Sequence, residues 1–184
     1  AGLLFNPAKL LLDPWAREIV GAYRHEAIHH GYVLGHPQGN RERDDRDNAA
    51  QMLKARVVPA AQDAPTPGQR PRHRDEDIVL YEVHVKGFSN QHPDIPAELR
   101  GTYGALAHPA AIAHFKALGV TTLSLLPVHY HLDEGSLSER GAVNYWGYNT
   151  LGFFAPDPRY AREPGRVAEE FRAMVQALHA EGIE

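Results

Sequence analysis

Apolar and polar positions recur with two different periods in the second half of the chain. A run of β-branched, aromatic and other apolar residues at 78–85 is typical of a buried parallel strand, and 120–126 repeats it. Apolar residues recur at helical spacing over 109–118 and 166–180. Strand, helix, strand and helix in this order are the elements of βαβ units, so the pattern predicts an α/β fold with a parallel sheet.

Long loops follow both predicted strands, the second running from Val128 to about Gly165, and they narrow the choice of α/β fold. A doubly wound nucleotide-binding sheet needs a glycine-rich turn after its first strand, and residues 86–89 do not form one. Long loops at the carboxyl ends of strands are instead where (β/α)8 barrels carry their active sites, and a whole barrel needs roughly 250 residues. We therefore expect residues 78–184 to form two βα units, at most a quarter to a third of a TIM barrel, with a further strand starting at Ile183–Glu184.

Residues 1–59 have a different pattern and are separated from the barrel segment by residues 60–77. Asp13 and Pro14 resemble the N-cap and first residue of a short helix, and 55–58 is strand-like. Proline, glycine and charged residues dominate 60–77, which predicts a linker. The sequence thus predicts two domains joined by a connector.

Composition excludes several functional classes. The chain has 184 residues, a net charge of −4 and no cysteine. Because there is no clustered excess of cations, neither nucleic acid nor an acidic membrane surface is expected as a partner. The lack of cysteine excludes disulfides, thiolate metal sites and a cysteine nucleophile. No apolar run is long enough to form a membrane helix, and residues 1–5 lack the features of a signal peptide.

Residues 25–29 (His-Glu-Ala-Ile-His) fit the H-E-x-x-H pattern of zinc peptidases. On a helix, the two histidines would lie one turn apart and could share a metal ion, with Glu26 as general base. Glycines at 21 and 31 leave little helix around the motif, and no third ligand is identifiable. A solvated turn is the preferred interpretation, a zinc hydrolase is the alternative, and no metal site is assigned. Alternate histidines at 129 and 131 do not by themselves define a site either.

Four separated stretches carry a resemblance to a known family. They are 81–89 (YEVHVKGFS), 99–103 (LRGTY), 118–129 (LGVTTLSLLPVH) and 144–150 (NYWGYNT), the last followed by FFAP at 153–156 and RY at 159–160. In this order they resemble the glycogen-debranching, isoamylase-type branch of the α-amylase superfamily, glycoside hydrolase family 13. Residues 5–14 likewise resemble the end of the β-sandwich module that precedes the barrel in these enzymes.

This resemblance implies both an architecture and an activity. The architecture is the end of a β-sandwich module over 1–59, a linker over 60–77, and an incomplete (β/α)8 barrel over 78–184. The activity is hydrolysis of α-1,6 branch linkages in glycogen or limit dextrin by a retaining mechanism, which needs two carboxylates about 5 Å apart. In the family these carboxylates follow later barrel strands, so no catalytic residue is assigned and the chain is expected to be an inactive fragment of a cytoplasmic enzyme. No cofactor is implied.

Candidate substrate-binding residues also follow from the resemblance. Tyr148 occupies the place of the family's tyrosine that stacks on the sugar next to the cleaved bond, and Asn149 would support its loop. Trp146 and His129 are further candidates for contact with the α-glucan. A flat ring with a polar tip suits the apolar C–H face of a sugar. The alternative is that these aromatic side chains only anchor the loop.

Other functions stay open at this point. The chain could be a non-catalytic α-glucan-binding or scaffolding protein, and branching enzymes and trehalose-releasing hydrolases share the barrel motifs. An open third of a barrel would leave strand edges unpaired and apolar faces uncovered, so self-association of the fragment is expected.

Overall fold

A computed structural model describes residues 5–59 and 70–184 of the chain. The strands within these residues are β1 (Ile19–Val20), β2 (Lys54–Ala55), β3 (Leu80–Val83), β4 (Thr122–Leu125), β5 (His129–His131) and β6 (Thr150–Pro156). The α-helices are α1 (Val85–Ser89), α2 (Tyr103–Leu106), α3 (Pro109–Ala117), α4 (Gly135–Ser138) and α5 (Val167–Ala180). Short 3-10 helices lie at Ala27–His29, Gly39–Arg41, Asp75–Asp77, Pro158–Tyr160 and Pro164–Arg166. Residues 60–69 of the predicted linker, and residues 1–4, lie outside the described residues.

β3 and β4 form the parallel pair that the apolar runs predict. The two strands pair in register along their whole length, and α3 lies between them in the chain. α3 begins with Pro109, where a missing N–H costs nothing, and Gly119 follows its end with a φ of 73°. β3 is shorter than predicted because His84 caps α1. The α/β class, both strands and both long helices are therefore confirmed.

Ile183 and Glu184 extend this sheet on the other side of β4. The amide of Glu184 donates to the carbonyl of Thr121 at 2.8 Å, and the amide of Leu123 donates to the carbonyl of Glu184 at 2.7 Å. This is the bonding of a parallel ladder, and it uses the edge of β4 that faces away from β3. Ile183 is 1% exposed. Ile183–Glu184 therefore occupies the position expected of a third parallel strand.

The main apolar core lies between this sheet and the helices packed on it. α2 packs against both α1 and α5, and the rings of Tyr103 and Phe171 meet in a T-shaped contact with centroids 5.3 Å apart. The large apolar side chains that are almost fully buried here are Tyr103, Phe115, Ile95, Leu106, Met174, Ile183 and Val85. Each such side chain contributes about 1.5–3 kcal/mol by leaving water, so apolar burial stabilises this part of the fold.

The segment 128–165, predicted to be one long loop, contains regular structure. β5 and β6 pair antiparallel, with irregular register on both sides of Tyr130. The hydrogen bonds between β5 and β6 satisfy backbone N–H and C=O groups that would otherwise lack partners in a connection of this length. Two successive residues of β6, Phe153 and Phe154, are both exposed. The sequence of β6 therefore lacks the alternation of apolar and polar residues that indicates a strand.

Residues 5–59 do not contain the helix predicted after Asp13. The Asp13 carboxylate accepts from the amide of Trp15 at 2.9 Å and closes a turn, an arrangement that competes with helix at such residues. Downstream, β1 pairs antiparallel with β2 at Lys54–Ala55, which overlaps the strand predicted at 55–58 only at Ala55. Ala16, Ile19 and Leu53 form a second, smaller apolar core with Ala155 of β6. Within residues 5–59, the β-structure consists of this strand pair and one isolated bridge. The β-sandwich therefore stays a prediction.

Polar side chains hold much of the remainder of this first region. The ammonium of Lys9 donates to the carbonyls of Ile28 at 2.9 Å and Arg46 at 2.7 Å. Asp44 is 2% exposed. Hydrogen bonds from Arg46 hold the pKa of Asp44 well below its usual range against the effect of burial.

Candidate functional site

Residues 144–149, here called the aromatic loop, lie over the carboxyl ends of β3 and β4. His84 directly follows β3, and its ring stacks on Tyr145 with centroids 4.3 Å apart and planes 2° from parallel. Pro127 follows β4. A Cβ added to Gly147 would lie 3.1 Å from the side chain of Pro127 and 3.1 Å from the carbonyl oxygen of Pro127. In barrels, this end of the strands carries the active site.

Asn144 and Gly147 set the shape of this loop. The side-chain oxygen of Asn144 accepts from the amide of Gly147 at 2.9 Å. Gly147 has a φ of 80°, which L residues with a side chain rarely adopt, and it approaches Pro127 closely. Any larger residue at 147 would be strained twice, by its backbone and by its neighbour.

Three of the four predicted substrate-binding residues lie together in the aromatic loop. Tyr148 is 70% exposed and Trp146 is 56% exposed. Asn149 is half-buried, and its carbonyl accepts from the amide of Leu132 at 3.0 Å. The ring of Tyr145 is stacked on His84 but is still 41% exposed, and the ring of Trp146 meets both of these rings edge to face. The loop therefore carries three exposed rings, of which Tyr145 and Trp146 also contact His84.

His129, the fourth predicted residue, has a different environment. Its ring meets the ring of Phe153 on β6 with centroids 5.7 Å apart. It lines a cavity of about 240 Å³ with Arg17 and Phe171, and no residue of the aromatic loop lines that cavity. Burial, followed by the charge of His131, lowers the pKa of His129. The structure thus does not bring His129 together with the other three, and a sugar contact for it stays a prediction.

A buried charged network lies beneath the aromatic loop. His131 is 3% exposed and Asp157 is 1% exposed, and the Nδ1 atom of His131 lies 2.9 Å from Oδ2 of Asp157. Arg159 donates through its backbone amide to Asp157 Oδ1 at 2.8 Å and through Nε at 3.1 Å. The same guanidinium donates to Asp133 at 2.9 Å and to the carbonyl of His131. Each buried charge therefore has an opposite charge and hydrogen-bond partners.

Electrostatic effects in this network oppose the effect of burial. Burial would raise the pKa of Asp157, but hydrogen bonds from His131 and Arg159 lower the pKa to about 2. Burial would likewise lower the pKa of His131, yet the hydrogen bond and charge of Asp157 raise it overall. Asp157 is therefore ionised at neutral pH, and its charge favours the protonated form of His131.

The network is joined to the aromatic loop at its first residue. Asp133 accepts from the amide of Asn144 at 2.7 Å, and Glu134 accepts from the Asn144 side chain at 3.0 Å. The Nε2 atom of His131 lies 3.2 Å from the carbonyl oxygen of Asn144. The start of the loop is consequently fixed by both side chains and backbone.

Sequence reasoning missed the residues that support this loop. His84 was expected only to be part of a strand, the pair 129 and 131 to be incidental, and Arg159 only to be part of a matching block. The one available signal was Asp157 followed by Pro158, which is the pattern of a helix cap, and Asp157 does cap the 3-10 helix at Pro158–Tyr160. The ion pairs themselves join β5 to the end of β6, and no local pattern indicates them.

Residues 25–29 do not form the helix that a zinc-peptidase motif requires. His25 and Glu26 precede a single 3-10 turn at Ala27–His29, and Nε2 of His25 lies 2.6 Å from the carbonyl oxygen of Asp133. The ring of His29 stacks on Tyr23. Over residues 5–59 and 70–184, no group of three or more metal-binding side chains is placed to share an ion.

No helix in these ranges is both long enough and apolar enough to cross a membrane.

Comparisons with known sequences bear directly on the predicted resemblance. No protein-family model matches the chain. A glycogen debranching enzyme from Klebsiella pneumoniae (strain 342) is 48% identical over 183 residues, which is 100% of this chain. The resemblance to glycogen debranching enzymes is therefore confirmed along the whole chain. The chain spans 27% of the length of that relative.

Solved structures give a consistent result. Pullulanase type I from Bacillus subtilis str. 168, in complex with maltose, matches 73% of this chain and 20% of that protein, with 28% identity and a TM-score of 0.56. Apo pullulanase from Paenibacillus barengoltzii matches 95% of this chain and 25% of that protein, with 21% identity and a TM-score of 0.64, which concerns the fold alone. The chain is thus similar in fold to parts of larger pullulanases.

Proposed function

We propose that the protein containing this chain is a glycogen debranching enzyme, a glycoside hydrolase that cleaves α-1,6 branch linkages in glycogen and limit dextrin with retention. The observation that carries the proposal is the aromatic loop at the carboxyl ends of β3 and β4, with Tyr148 and Trp146 exposed. Identity of 48% to a glycogen debranching enzyme over the whole chain supports the choice of substrate class.

In this proposal the aromatic loop forms one wall of the sugar pocket. Tyr148 stacks on the sugar next to the cleaved bond, and Trp146 adds a second contact. A ring face suits the C–H face of a sugar because both are apolar, while the phenol hydroxyl can bond to sugar hydroxyls. Asn149 supports the loop through its backbone carbonyl. For His129, the cavity beside Phe153 offers a separate sugar contact.

The chemistry belongs to other parts of the whole protein. Retaining hydrolysis needs one carboxylate as nucleophile and a second as acid/base, free to face the bond. Asp133 and Asp157 are instead ion-paired with Arg159, and Glu134 accepts a hydrogen bond from Asn144. We assign no catalytic role to them, and we expect the 184-residue chain to have no hydrolytic activity alone.

The remaining architecture is proposed in the same way. Residues 78–184 would be the first two βα units of a (β/α)8 barrel, residues 60–77 a linker, and 1–59 the end of a β-sandwich module. Residues 78–80 and Leu118 expose 43–63% of their apolar side chains, and sedimentation of the isolated chain tests whether this surface causes self-association. Cell fractionation tests the proposed cytoplasmic location.

Activity of the full-length protein on branched and linear glucans tests the function. The proposal predicts release of linear chains from glycogen or limit dextrin and little hydrolysis of a linear maltooligosaccharide. Faster hydrolysis of the linear substrate would reject α-1,6 specificity, and transfer to new branches would indicate a branching enzyme. Binding without hydrolysis would favour the non-catalytic α-glucan-binding protein.

A further inference from the structure

Two histidines from different parts of the fold meet consecutive carbonyl groups of the aromatic loop. Nε2 of His84, after β3, lies 2.7 Å from the carbonyl oxygen of Tyr145. Nε2 of His131, on β5, lies 3.2 Å from the carbonyl oxygen of Asn144. Both rings are buried, at 8% and 3% exposure. The two bonds fix the backbone on which Trp146 and Tyr148 are carried.

The hydrogen-bond partners of His84 define its protonation. Its Nδ1 accepts from the amide of Gly87 at 3.0 Å and so carries no proton. Its Nε2 faces a carbonyl oxygen, which can only accept. These contacts select the tautomer of His84 whose proton lies on Nε2. The parallel stack with Tyr145 holds the ring in the same orientation.

The partners of His131 require a different state. Its Nδ1 lies 2.9 Å from Oδ2 of Asp157 and 3.1 Å from the carbonyl oxygen of His129. Its Nε2 faces the carbonyl oxygen of Asn144. Both ring nitrogens thus face acceptors, and only the imidazolium form donates from both. When the ring loses one proton, the remaining proton stays on Nδ1 toward the ionised Asp157, because that bond is charge-assisted and shorter, and Nε2 no longer donates to Asn144.

Several charged or titratable groups surround His131. Those in the network or in ring contact are Asp157, Arg159, Asp133, His129 and Tyr160, with Tyr103 bonded to the Asp157 carbonyl. Tyr23, His25 and Tyr130 line a cavity of about 210 Å³ on the same side. The charge of Arg159 disfavours the imidazolium, but the hydrogen bond and charge of Asp157 outweigh it, so the pKa of His131 is raised.

We propose that His84 and His131 are positioning residues that hold the aromatic loop for sugar binding, and that His131 does so only while it is protonated. The sugar-binding part rests on the function proposed above, whereas the loop-holding part does not. Because the pKa of His131 is raised on folding, its contribution is complete below its ordinary pKa of about 6.5 and is lost as the pH rises through the raised value.

The contacts of His84 and His131 with the carbonyl groups of Tyr145 and Asn144 are here called the clamp. Hydrogen exchange measured by mass spectrometry on the full-length protein tests the clamp without any ligand. Peptides covering 143–150 report on the amides of Asn144 and Gly147, which are bonded within and beneath the loop. After correction for intrinsic exchange, we expect protection in the wild type to fall as the pH is raised from 6 to 9, by roughly tenfold, since one hydrogen bond is lost. Peptides from α5 provide the control.

Matched variants separate the two histidines. In His131→Gln the side-chain amide can still donate to Asn144 but cannot titrate, so we expect partial protection with no dependence on pH. In His131→Phe protection should be low at every pH. His84→Phe should lower protection, and His84→Gln, whose side-chain amide can still donate to the carbonyl of Tyr145, should restore part of that protection. If a Phe variant does not fold, the comparison of the wild type with His131→Gln and His84→Gln still tests the proposal.

Two results would overturn the clamp. One is wild-type protection of 143–150 that does not change between pH 6 and 9, and the other is the same pH dependence in His131→Gln. Affinity for maltotetraose over the same pH range is measured in parallel, and we expect it to weaken with loop protection in the wild type only. A pH-dependent loop with no maltotetraose binding would reject the sugar-binding function and retain the clamp.

Discussion

Two neighbouring parts of the molecule are held in place by different forces. The β3–β4 sheet and its helices are held by apolar side chains such as Phe115 and Met174, which are 0% and 1% exposed. The aromatic loop above it is held by hydrogen bonds and charges from His84, His131 and Asp157. The comparison indicates that a stable apolar scaffold presents a loop whose position depends on a few polar contacts.

Removing apolar volume from the scaffold should have the largest effect. Phe115→Ala should destabilise the protein by about 4 kcal/mol, because it removes a fully buried ring and leaves a cavity. Leu118→Ala, at a residue 53% exposed next to the same helix, is the control and should cost less than about 0.5 kcal/mol. Chemical denaturation measures both, and equal effects would show that burial does not hold the scaffold.

Breaking the charged network should rank second. Asp157→Asn leaves Arg159 and His131 without their buried partner and should cost about 3 kcal/mol in denaturant unfolding. Asp94→Asn, at an exposed carboxylate, should cost less than about 0.5 kcal/mol. The Asp157 contribution should be complete above about pH 4 and lost as the pH falls through its lowered pKa of about 2. A neutral Asp157→Asn variant would contradict the role of the network.

Changing the turn within the loop should have a smaller effect. Gly147→Ala should destabilise by about 2 kcal/mol, since its φ is 80° and a Cβ would press on Pro127 at 3.1 Å. Gly141 has a similar φ of 66° but no atom within 4 Å of an added Cβ, so Gly141→Ala should cost only about 1 kcal/mol. Equal losses in thermal unfolding would mean that the contact with Pro127 contributes nothing.

The scaffold and the loop also differ in how far the sequence could predict them. β3, β4, α3 and α5 follow from local apolar periodicity and from Pro109 and Gly119 at the ends of α3. The loop's support comes from residues such as His131 and Asp157, which are 26 positions apart. Residues 144–149 were found because a motif marks them, not because any pattern predicts their contacts.

Misleading local signals explain the remaining errors. Asp13-Pro14 fits the start of a helix, but Asp13 closes a turn and Ile19 enters a strand that pairs with residues 54–55. The β5–β6 pair was missed because Phe153 and Phe154 break the alternation of exposed and buried positions. In both places a contact distant in the chain outweighs local preference.

The measurement that tests the central claim most directly is the affinity of the full-length protein for maltotetraose, compared between wild type, Tyr148→Ala and Tyr148→Phe. Tyr148 is 70% exposed, so its truncation should change the free energy of unfolding by less than about 0.5 kcal/mol. We predict that Tyr148→Ala weakens binding by about 1.5 kcal/mol, roughly tenfold in Kd, while Tyr148→Phe keeps most of the affinity because the ring remains. Phe5→Ala, at a residue 68% exposed that lies outside both the aromatic loop and the cavity beside His129, should leave Kd unchanged. An unchanged Kd in Tyr148→Ala would contradict the assignment of the aromatic loop as a wall of the sugar pocket.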